Sequence, residues 1–173
     1  MKKLSFLIPI AFAFFVTSCS NGGGQSEQAK KNLEANHGII KSFETKDFSK
    51  LGDYIAEDFV DHAGETGDIR GLANARAEFE RMVEGLESDT TIIIKEMADD
   101  EFVMSWLRFT GTLSKDMMGM KAGSKYDMAA VELTKFKDGK AVEHWSFMQP
   151  ADMMNMMGSQ QQMPAAADTM KKQ

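Results

Sequence analysis

Residues 28–45 carry apolar side chains at helical spacing. Leu33, Ile40 and Phe43 form one stripe, and His37 lies on the same stripe. A stripe of this kind is typical of an amphipathic helix that packs one face against a core. The first segment of the domain is therefore predicted to be a helix whose inward face is mainly apolar.

The pattern then predicts two further helices and a set of strands. Asp47 can cap a short helix that ends near residue 56, and apolar residues recur every three or four positions over residues 72–86. Strand-like alternation predicts one short strand and four long ones, over residues 59–62, 90–97, 101–113, 125–136 and 140–149. Helices followed by antiparallel strands predict an α+β fold, with a curved, mostly antiparallel sheet packed against three N-terminal helices.

The last two predicted strands form a hairpin through Asp138-Gly139, a strong short-range hairpin signal. A two-residue turn places Leu133 opposite His144. A three-residue turn, with Gly139 in a left-handed bulge, places Glu132 opposite His144. The two registers exchange the faces of one strand relative to the other, and the pattern leaves both open.

The N-terminus resembles a bacterial lipoprotein signal. Lys2 and Lys3 precede an apolar stretch over residues 4–15, which has the length of a signal-peptide core and is too short to span a bilayer. A Val-Thr-Ser-Cys run then ends at Cys19, the only cysteine, and resembles the lipobox whose cysteine is lipidated. We expect a signal peptide, a flexible tether, one domain and a disordered tail, over residues 1–18, 19–27, 28–157 and 158–173.

These features predict a location in the cell envelope. A lipidated Cys19 carries more than one acyl chain, which gives stable membrane anchoring, and Ser20 after it resembles outer-membrane sorting. No thiol is left for a disulfide or for thiolate catalysis. The formal charge is −6 without a Lys/Arg cluster, so nucleic acid is not expected as a partner, and the membrane contact is the lipid alone. Zinc spacing, a phosphate-binding loop and a dinucleotide fingerprint are absent, so no cofactor or metal is predicted from motifs.

The chain has 15 methionines, and two clusters lie in residues 117–120 and 153–157. Thioethers are soft ligands that suit Cu(I). Methionine also fills irregular gaps in protein cores, and no cysteine or paired histidine reinforces a metal site here. Copper binding and compliant packing are both compatible with these clusters.

Three motifs and the order of elements resemble the SnoaL-like branch of the nuclear transport factor two-like superfamily over residues 33–157. The motifs are DFVDHAG at 58–64, VELTKFKDGK at 131–140 and EHW at 143–145. The resemblance implies a cone-shaped α+β barrel whose pocket holds a small organic molecule. This fold hosts cyclases, isomerases, hydratases and non-catalytic binders, so activity depends on the pocket residues.

The resemblance also implies a catalytic set. His62 matches the position where ketosteroid isomerases carry a catalytic aspartate and many SnoaL-like proteins carry histidine, so it is the candidate base. Glu132 matches a pocket carboxylate that, when protonated, donates to an enolate oxygen. His144 would orient Glu132 or act as a second acid/base group. In two departures, Ile39 stands where the isomerases carry a tyrosine donor, and Ser146 stands where many relatives carry aspartate.

Further residues are predicted to contact the ligand or a second subunit. The register with Glu132 opposite His144 places both on the pocket face, while Trp145 and Phe147 lie on the opposite face, where this superfamily commonly dimerises. We therefore expect a homodimer through that face. The predicted ligand-binding residues are His37, Trp106, Met128, Ser146 and Met148.

Three functions stay open on the sequence. The first is proton abstraction and return next to a carbonyl group, of the isomerase, cyclase or aldol type, in a pocket that binds a small apolar organic ligand. The second is a non-catalytic, dimeric binding or interaction module. The third is Cu(I) binding by the methionine clusters. Polar side chains that meet in an open pocket favour the first, and a pocket filled by side chains favours the second.

Overall fold

The computed structural model describes residues 25–64, 66–117 and 119–158. The predicted signal peptide, Cys19 and the predicted tail beyond residue 158 lie outside these residues. The helices are α1 (Glu27–Thr45), α2 (Leu51–Tyr54), α3 (Leu72–Glu84) and α4 (Pro150–Gly158). The strands are β1 (Ile55–Asp61), β2 (Ile69–Arg70), β3 (Leu86–Ala98), β4 (Phe102–Leu113), β5 (Lys125–Lys137) and β6 (Lys140–Met148).

The six strands form one sheet in the order β2-β1-β6-β5-β4-β3. Among the described strands, β1 and β6 pair in parallel and all other neighbours are antiparallel. The predicted α+β fold with a mostly antiparallel sheet is confirmed. The short strand β2 was not among the predicted strands, and it pairs with the end of β1.

The sheet has an inner face, which packs against the helices, and an outer face. Strand alternation assigns Val103, Ser105 and Leu107 of β4 to the inner face, where all three are buried. Trp106, between two of them, lies on the outer face and is 43% exposed. The hydrophobic core lies between the inner face and the helices and includes Phe48, Leu51, Ile55, Phe59, Leu72, Ala75, Phe79, Val83, Val103, Phe136 and Ala141.

The inward face of α1 is more polar than the sequence predicted. Asn32 and Asn36 are 0% and 7% exposed, whereas Leu33 is only partly buried and His37 is largely exposed. Burial of an amide is tolerated only when hydrogen bonds replace water. The Asn32 amide donates to the Asp99 carbonyl at the β3–β4 turn. Leu33 and Phe43 of the predicted stripe pack against the core. The prediction that His37 belongs to this inward stripe was wrong, because its side chain is half exposed and buried amides take part of the inward face.

The β5–β6 hairpin adopts neither predicted register. The turn is the two-residue one, with Asp138 and Gly139 at φ 54° and 80°, as a type I′ turn requires. The register then shifts by one residue, because Phe136 pairs with Ala141 while Lys135 pairs with Glu143. The extra residue is a bulge in β6, and it places Thr134, rather than Leu133 or Glu132, opposite His144.

Candidate functional site

Two histidine hydrogen bonds tie β1, β5 and β6 together on the inner face. His144 lies opposite Asp61 on the parallel neighbour β1, and its Nδ1 is 2.9 Å from Asp61 Oδ1. Its Nε2 is 2.9 Å from Glu132 Oε2 on β5. Ser146 lies directly opposite Glu132, and its hydroxyl donates to Glu132 Oε1 over 3.0 Å. We call Asp61, Glu132, His144 and Ser146 the inner-face site.

The two carboxylates keep the imidazole charged. Burial by itself lowers the pKa of His144, but the hydrogen bonds and charges of Asp61 and Glu132 outweigh burial and raise it to about 9. Burial also opposes ionisation of Asp61, yet the hydrogen bond and charge of His144 hold the pKa of Asp61 below its usual range. His144 is therefore an imidazolium at neutral pH, and both of its nitrogens donate.

Glu132 is arranged as an acceptor. One of its oxygens accepts from His144 and the other accepts from Ser146. This geometry suits a carboxylate, whereas the sequence suggested a protonated acid that donates to an enolate. Glu132 and His144 do lie on one face, as predicted. They are diagonal neighbours on the two strands, however, and not a directly opposite pair.

His62 does not join these residues. The pairing of β1 with β6 turns Asp61 toward His144 on the inner face, so the next residue projects to the outer face. There the His62 ring stacks on Trp145 with ring centres 4.9 Å apart, and its Nδ1 is 3.0 Å from Asp68. The expectation that His62 shares the pocket with Glu132 and His144 was wrong.

The sequence contained a signal for Asp61 that was missed. Phe59 is an apolar strand residue that packs in the core, and residues two apart on a strand share a face. Asp61 must therefore point inward with Phe59, and it is 5% exposed. A buried aspartate at this strand end indicates a polar partner on the neighbouring strand, which is His144.

A second polar group lies on the same face, two strands away from Glu132. Glu96 Oε1 accepts from Ser105 over 2.8 Å and from the amide of Asn36 over 3.2 Å. Glu96 Oε2 is 2.6 Å from His37 Nε2. His37 was predicted to contact the ligand, and it lies beside this carboxylate with a half-exposed side chain.

The register aligns the two polar groups. Glu96 on β3 pairs with Ser105 on β4, and Ser105 pairs with Glu132 on β5. Ser146 on β6 follows as the next partner of Glu132. A line of polar side chains therefore crosses four strands of the inner face, and Asn36, Ser105 and Glu96 were not found from the sequence.

The other predicted pocket residues divide between the two faces. Met128 pairs with Phe109 and Met148 pairs with Ala130, so alternation assigns both methionines to the inner face, where they are partly buried. Trp106 pairs with Val131 on the outer face. The prediction that Trp106 lines the pocket was therefore wrong, because strand alternation turns it away from the helices.

The outer face carries exposed aromatic side chains. Phe147 is 55% exposed and Trp106 is 43% exposed, and alternation assigns Trp145 to the same face. The methionine clusters are elsewhere. Met117 and Met120 form a backbone bridge in the β4–β5 loop, and Met153 and Met154 are exposed on α4. Copper binding by these clusters stays an untested prediction.

The described residues contain neither a ready-made metal site nor a helix suited to cross a membrane. Within residues 25–64, 66–117 and 119–158, no group of three or more His, Cys, Asp or Glu side chains is arranged to hold a metal ion. Over the same residues, no helix combines the length and the apolar character that crossing a membrane requires.

A family model for the SnoaL-like polyketide cyclases matches residues 34–157. The chain belongs to the SnoaL-like polyketide cyclase family. No curated protein sequence matches the chain.

Solved structures with the same fold share little sequence with this SnoaL-like domain. A protein from Jannaschia sp. CCS1, provisionally described as a SnoaL-like polyketide cyclase, superimposes with a TM-score of 0.70 at 17% identity, over 80% of this chain and 99% of its own. IdmH from Streptomyces antibioticus, provisionally a polyketide cyclase, gives 0.61 at 22% identity, over 73% and 98%. An LEH-like epoxide hydrolase from M. tuberculosis gives 0.61 at 15%, over 75% and 91%. These similarities show the nuclear transport factor two-like fold.

Proposed function

We propose that this SnoaL-like domain binds a small organic molecule with an enolisable carbonyl group on its inner face and moves a proton within it. The observation that carries the proposal is the position of His144, 2.9 Å from Asp61 on one side and 2.9 Å from Glu132 on the other. A charged donor beside a carboxylate supplies the two groups that proton transfer next to a carbonyl needs.

The roles follow from the hydrogen bonds. Glu132 takes the proton from the carbon next to the carbonyl, the C–H electrons form the C=C bond, and the carbonyl oxygen becomes an enolate oxygen. Nε2–H of His144, which donates to Glu132 in the free protein, donates to that oxygen instead. Glu132 then returns the proton to the opposite face of that carbon or to a conjugated carbon, which gives an isomer. Alternatively, the enolate carbon forms a bond to a second carbonyl carbon, and the alkoxide oxygen that results takes the proton from Glu132, which gives an aldol-type ring.

Asp61 has a positioning role in this scheme. It is buried and accepts from Nδ1 of His144, so it fixes the ring orientation and holds the positive charge while Nε2 contacts the substrate. Ser146 donates to the other oxygen of Glu132 and so restricts the orientation of the carboxylate. Ser146 therefore orients the base, although many relatives carry an aspartate at its position.

The experiment that tests this function is solvent deuterium exchange at carbon. A panel of 1,3-diketones and cyclic ketones is incubated in D₂O with the protein, and loss of the α-proton signal is followed by NMR. We expect faster exchange with the wild type for at least one compound. Glu132→Gln should lower that rate about 100-fold or more, because it removes the base.

The matched control is Glu143→Gln. Glu143 precedes His144 on β6, but its carboxylate lies on the outer face near Lys135 and His62. We expect this variant to retain the wild-type exchange rate. No exchange above the buffer rate across the panel would contradict the proposed chemistry and favour a non-catalytic binding module. Equal loss of exchange in both variants would contradict the assignment of Glu132 as the base.

We also propose that the domain is anchored in the cell envelope and acts as a homodimer. The anchor is inferred from the lipobox-like run that ends at Cys19. Dimerisation is inferred from the exposed aromatic side chains of the outer face, Trp106 and Phe147, because aromatic residues are enriched at interfaces between subunits. The dimer would leave the inner-face site of each subunit open to its ligand.

A further inference from the structure

The inner face carries more negative than positive charge. Asp61 and Glu132 bracket His144, and Glu96 lies on the same polar line. Three carboxylates against one imidazolium leave the region negative, and His37 beside Glu96 is half exposed to solvent. The side chains of Glu96 and Glu132 are 14% and 18% exposed, so both carboxylates are partly open to solvent.

The neutral amide of Asn36 on this face also presents an acceptor. Asn36 donates two hydrogen bonds through Nδ2, one to Glu96 Oε1 and one to Ser105 Oγ. The atom beside Glu96 is Nδ2 because a carboxylate can only accept. The Asn36 carbonyl oxygen accepts no hydrogen bond within the described residues.

Neighbouring strands lie about 4.8 Å apart, so Glu96 and Glu132 are about 10 Å apart along the polar line. A ligand whose carbonyl group contacts His144 therefore reaches Glu96 with its far end. At that end it meets a carboxylate and the Asn36 carbonyl oxygen, which accept hydrogen bonds and repel anions.

We propose that the ligand is a neutral or cationic molecule that carries a hydrogen-bond donor, a hydroxyl or an amine, about 10 Å from its enolisable carbonyl, and that Glu96 and Asn36 recognise this donor. The inference names the ligand class of the site proposed above and rests on that proposal for the position of the carbonyl. Its test uses binding alone, so it can succeed or fail separately from catalysis.

The probes are four 1-(biphenyl-4-yl)butane-1,3-diones, which are unsubstituted or carry a hydroxyl, aminomethyl or carboxylate group at the 4′ position, at the required distance of about 10 Å from the nearer carbonyl. Their dissociation constants are measured by NMR titration of the wild-type protein. We expect the hydroxyl and amine probes to bind at least about tenfold more tightly than the carboxylate probe, which is the ratio that one hydrogen bond to a charged group supports.

Two variants assign the selectivity to this end of the site. Glu96→Gln should weaken the amine probe about tenfold and strengthen the carboxylate probe, while the unsubstituted probe stays within about twofold. Asn36→Asp adds a carboxylate and should strengthen the amine probe relative to the hydroxyl probe. Glu101→Gln is the matched control, because Glu101 pairs with Lys135 at the β3–β4 turn, and it should change none of the four constants.

Several results would overturn the inference. One is a carboxylate probe that binds as tightly as the hydroxyl probe, and another is a wild type that binds none of the four probes. A third is unchanged selectivity in both Glu96→Gln and Asn36→Asp. If the binding selectivity is found but no deuterium exchange occurs, the proposed chemistry fails and the ligand class stands. If exchange occurs without selectivity, the chemistry stands and the ligand class fails.

Discussion

His144 and Asp61 face each other across the parallel pair of strands β6 and β1, with 2.9 Å between Nδ1 and Oδ1. The two residues are far apart in sequence, and their contact joins the first strand of the domain to the last. Glu132 completes the group from β5. One imidazolium therefore bridges three adjacent strands at the point where the helices cover the sheet.

The first prediction concerns the titration of His144. Asp61 and Glu132 raise the pKa of His144 to about 9, so Asp61→Asn and Glu132→Gln should each lower it toward the ordinary histidine value of about 6.5. The ring-proton signals of the three histidines, followed by NMR against pH, measure this effect. Glu143→Gln serves as the control and should leave the His144 curve in place. A wild-type His144 that titrates near pH 6.5 would contradict the geometry.

The second prediction concerns stability against pH. The pKa of His144 is higher in the folded protein, about 9 against 6.5, so its stabilisation is complete below pH 6.5 and is lost as pH rises to 9. The pKa of Asp61 is lowered, so its stabilisation is present above its unfolded value of 3.8 and is lost as pH falls. Urea unfolding should therefore show about 2–3 kcal/mol less stability at pH 9.5 than at pH 6. His144→Gln should remove most of this loss, and His62→Gln should retain it.

The third prediction concerns the outer face. Phe147→Glu places a charge among the exposed aromatic residues, so it should convert a dimer into a monomer at micromolar concentration. Sedimentation velocity measures the change. Met154→Glu is the control, because Met154 is 67% exposed on α4 and lies outside the sheet. A monomeric wild type, or a Phe147→Glu variant that remains dimeric, would refute dimerisation through this face.

The fourth prediction concerns the membrane anchor. Cys19→Ala removes the only thiol that a lipid can be attached to, so the protein should move from the membrane fraction and the detergent phase of a Triton X-114 partition into the aqueous phase. Ser18→Ala retains a small residue before the cysteine and should leave partitioning unchanged. Recovery of the wild type in the aqueous phase would exclude lipid anchoring.

The sequence predicted the fold well because its strongest signals are local. Helical spacing located α1 and α3 to within a few residues, and Asp138-Gly139 located the hairpin. The motifs then pointed to the family. Each of these signals depends on residues that are close together in the chain, so contacts between distant segments did not change the structure that the signals predicted.

The site was harder to predict because it depends on register between distant strands. The bulge in β6 changed the partner of His144, and the parallel pairing of β1 with β6 selected Asp61 instead of His62. The residues near Asp61 in the sequence do not indicate which strand pairs with β1. The buried amide of Asn36 was missed for a related reason, since its partners Glu96 and Ser105 are on strands far along the chain.

The most direct test of the central claim is a crystal structure of the wild-type protein with the 1,3-diketone that exchanges fastest. We expect one ligand oxygen within about 2.6–3.2 Å of His144 Nε2, with the carbon between the carbonyls facing Glu132. The hydrogen bond between His144 and Glu132 should be broken in that complex. A ligand bound elsewhere, with this hydrogen bond intact, would contradict the assignment of the inner-face site as a reaction centre.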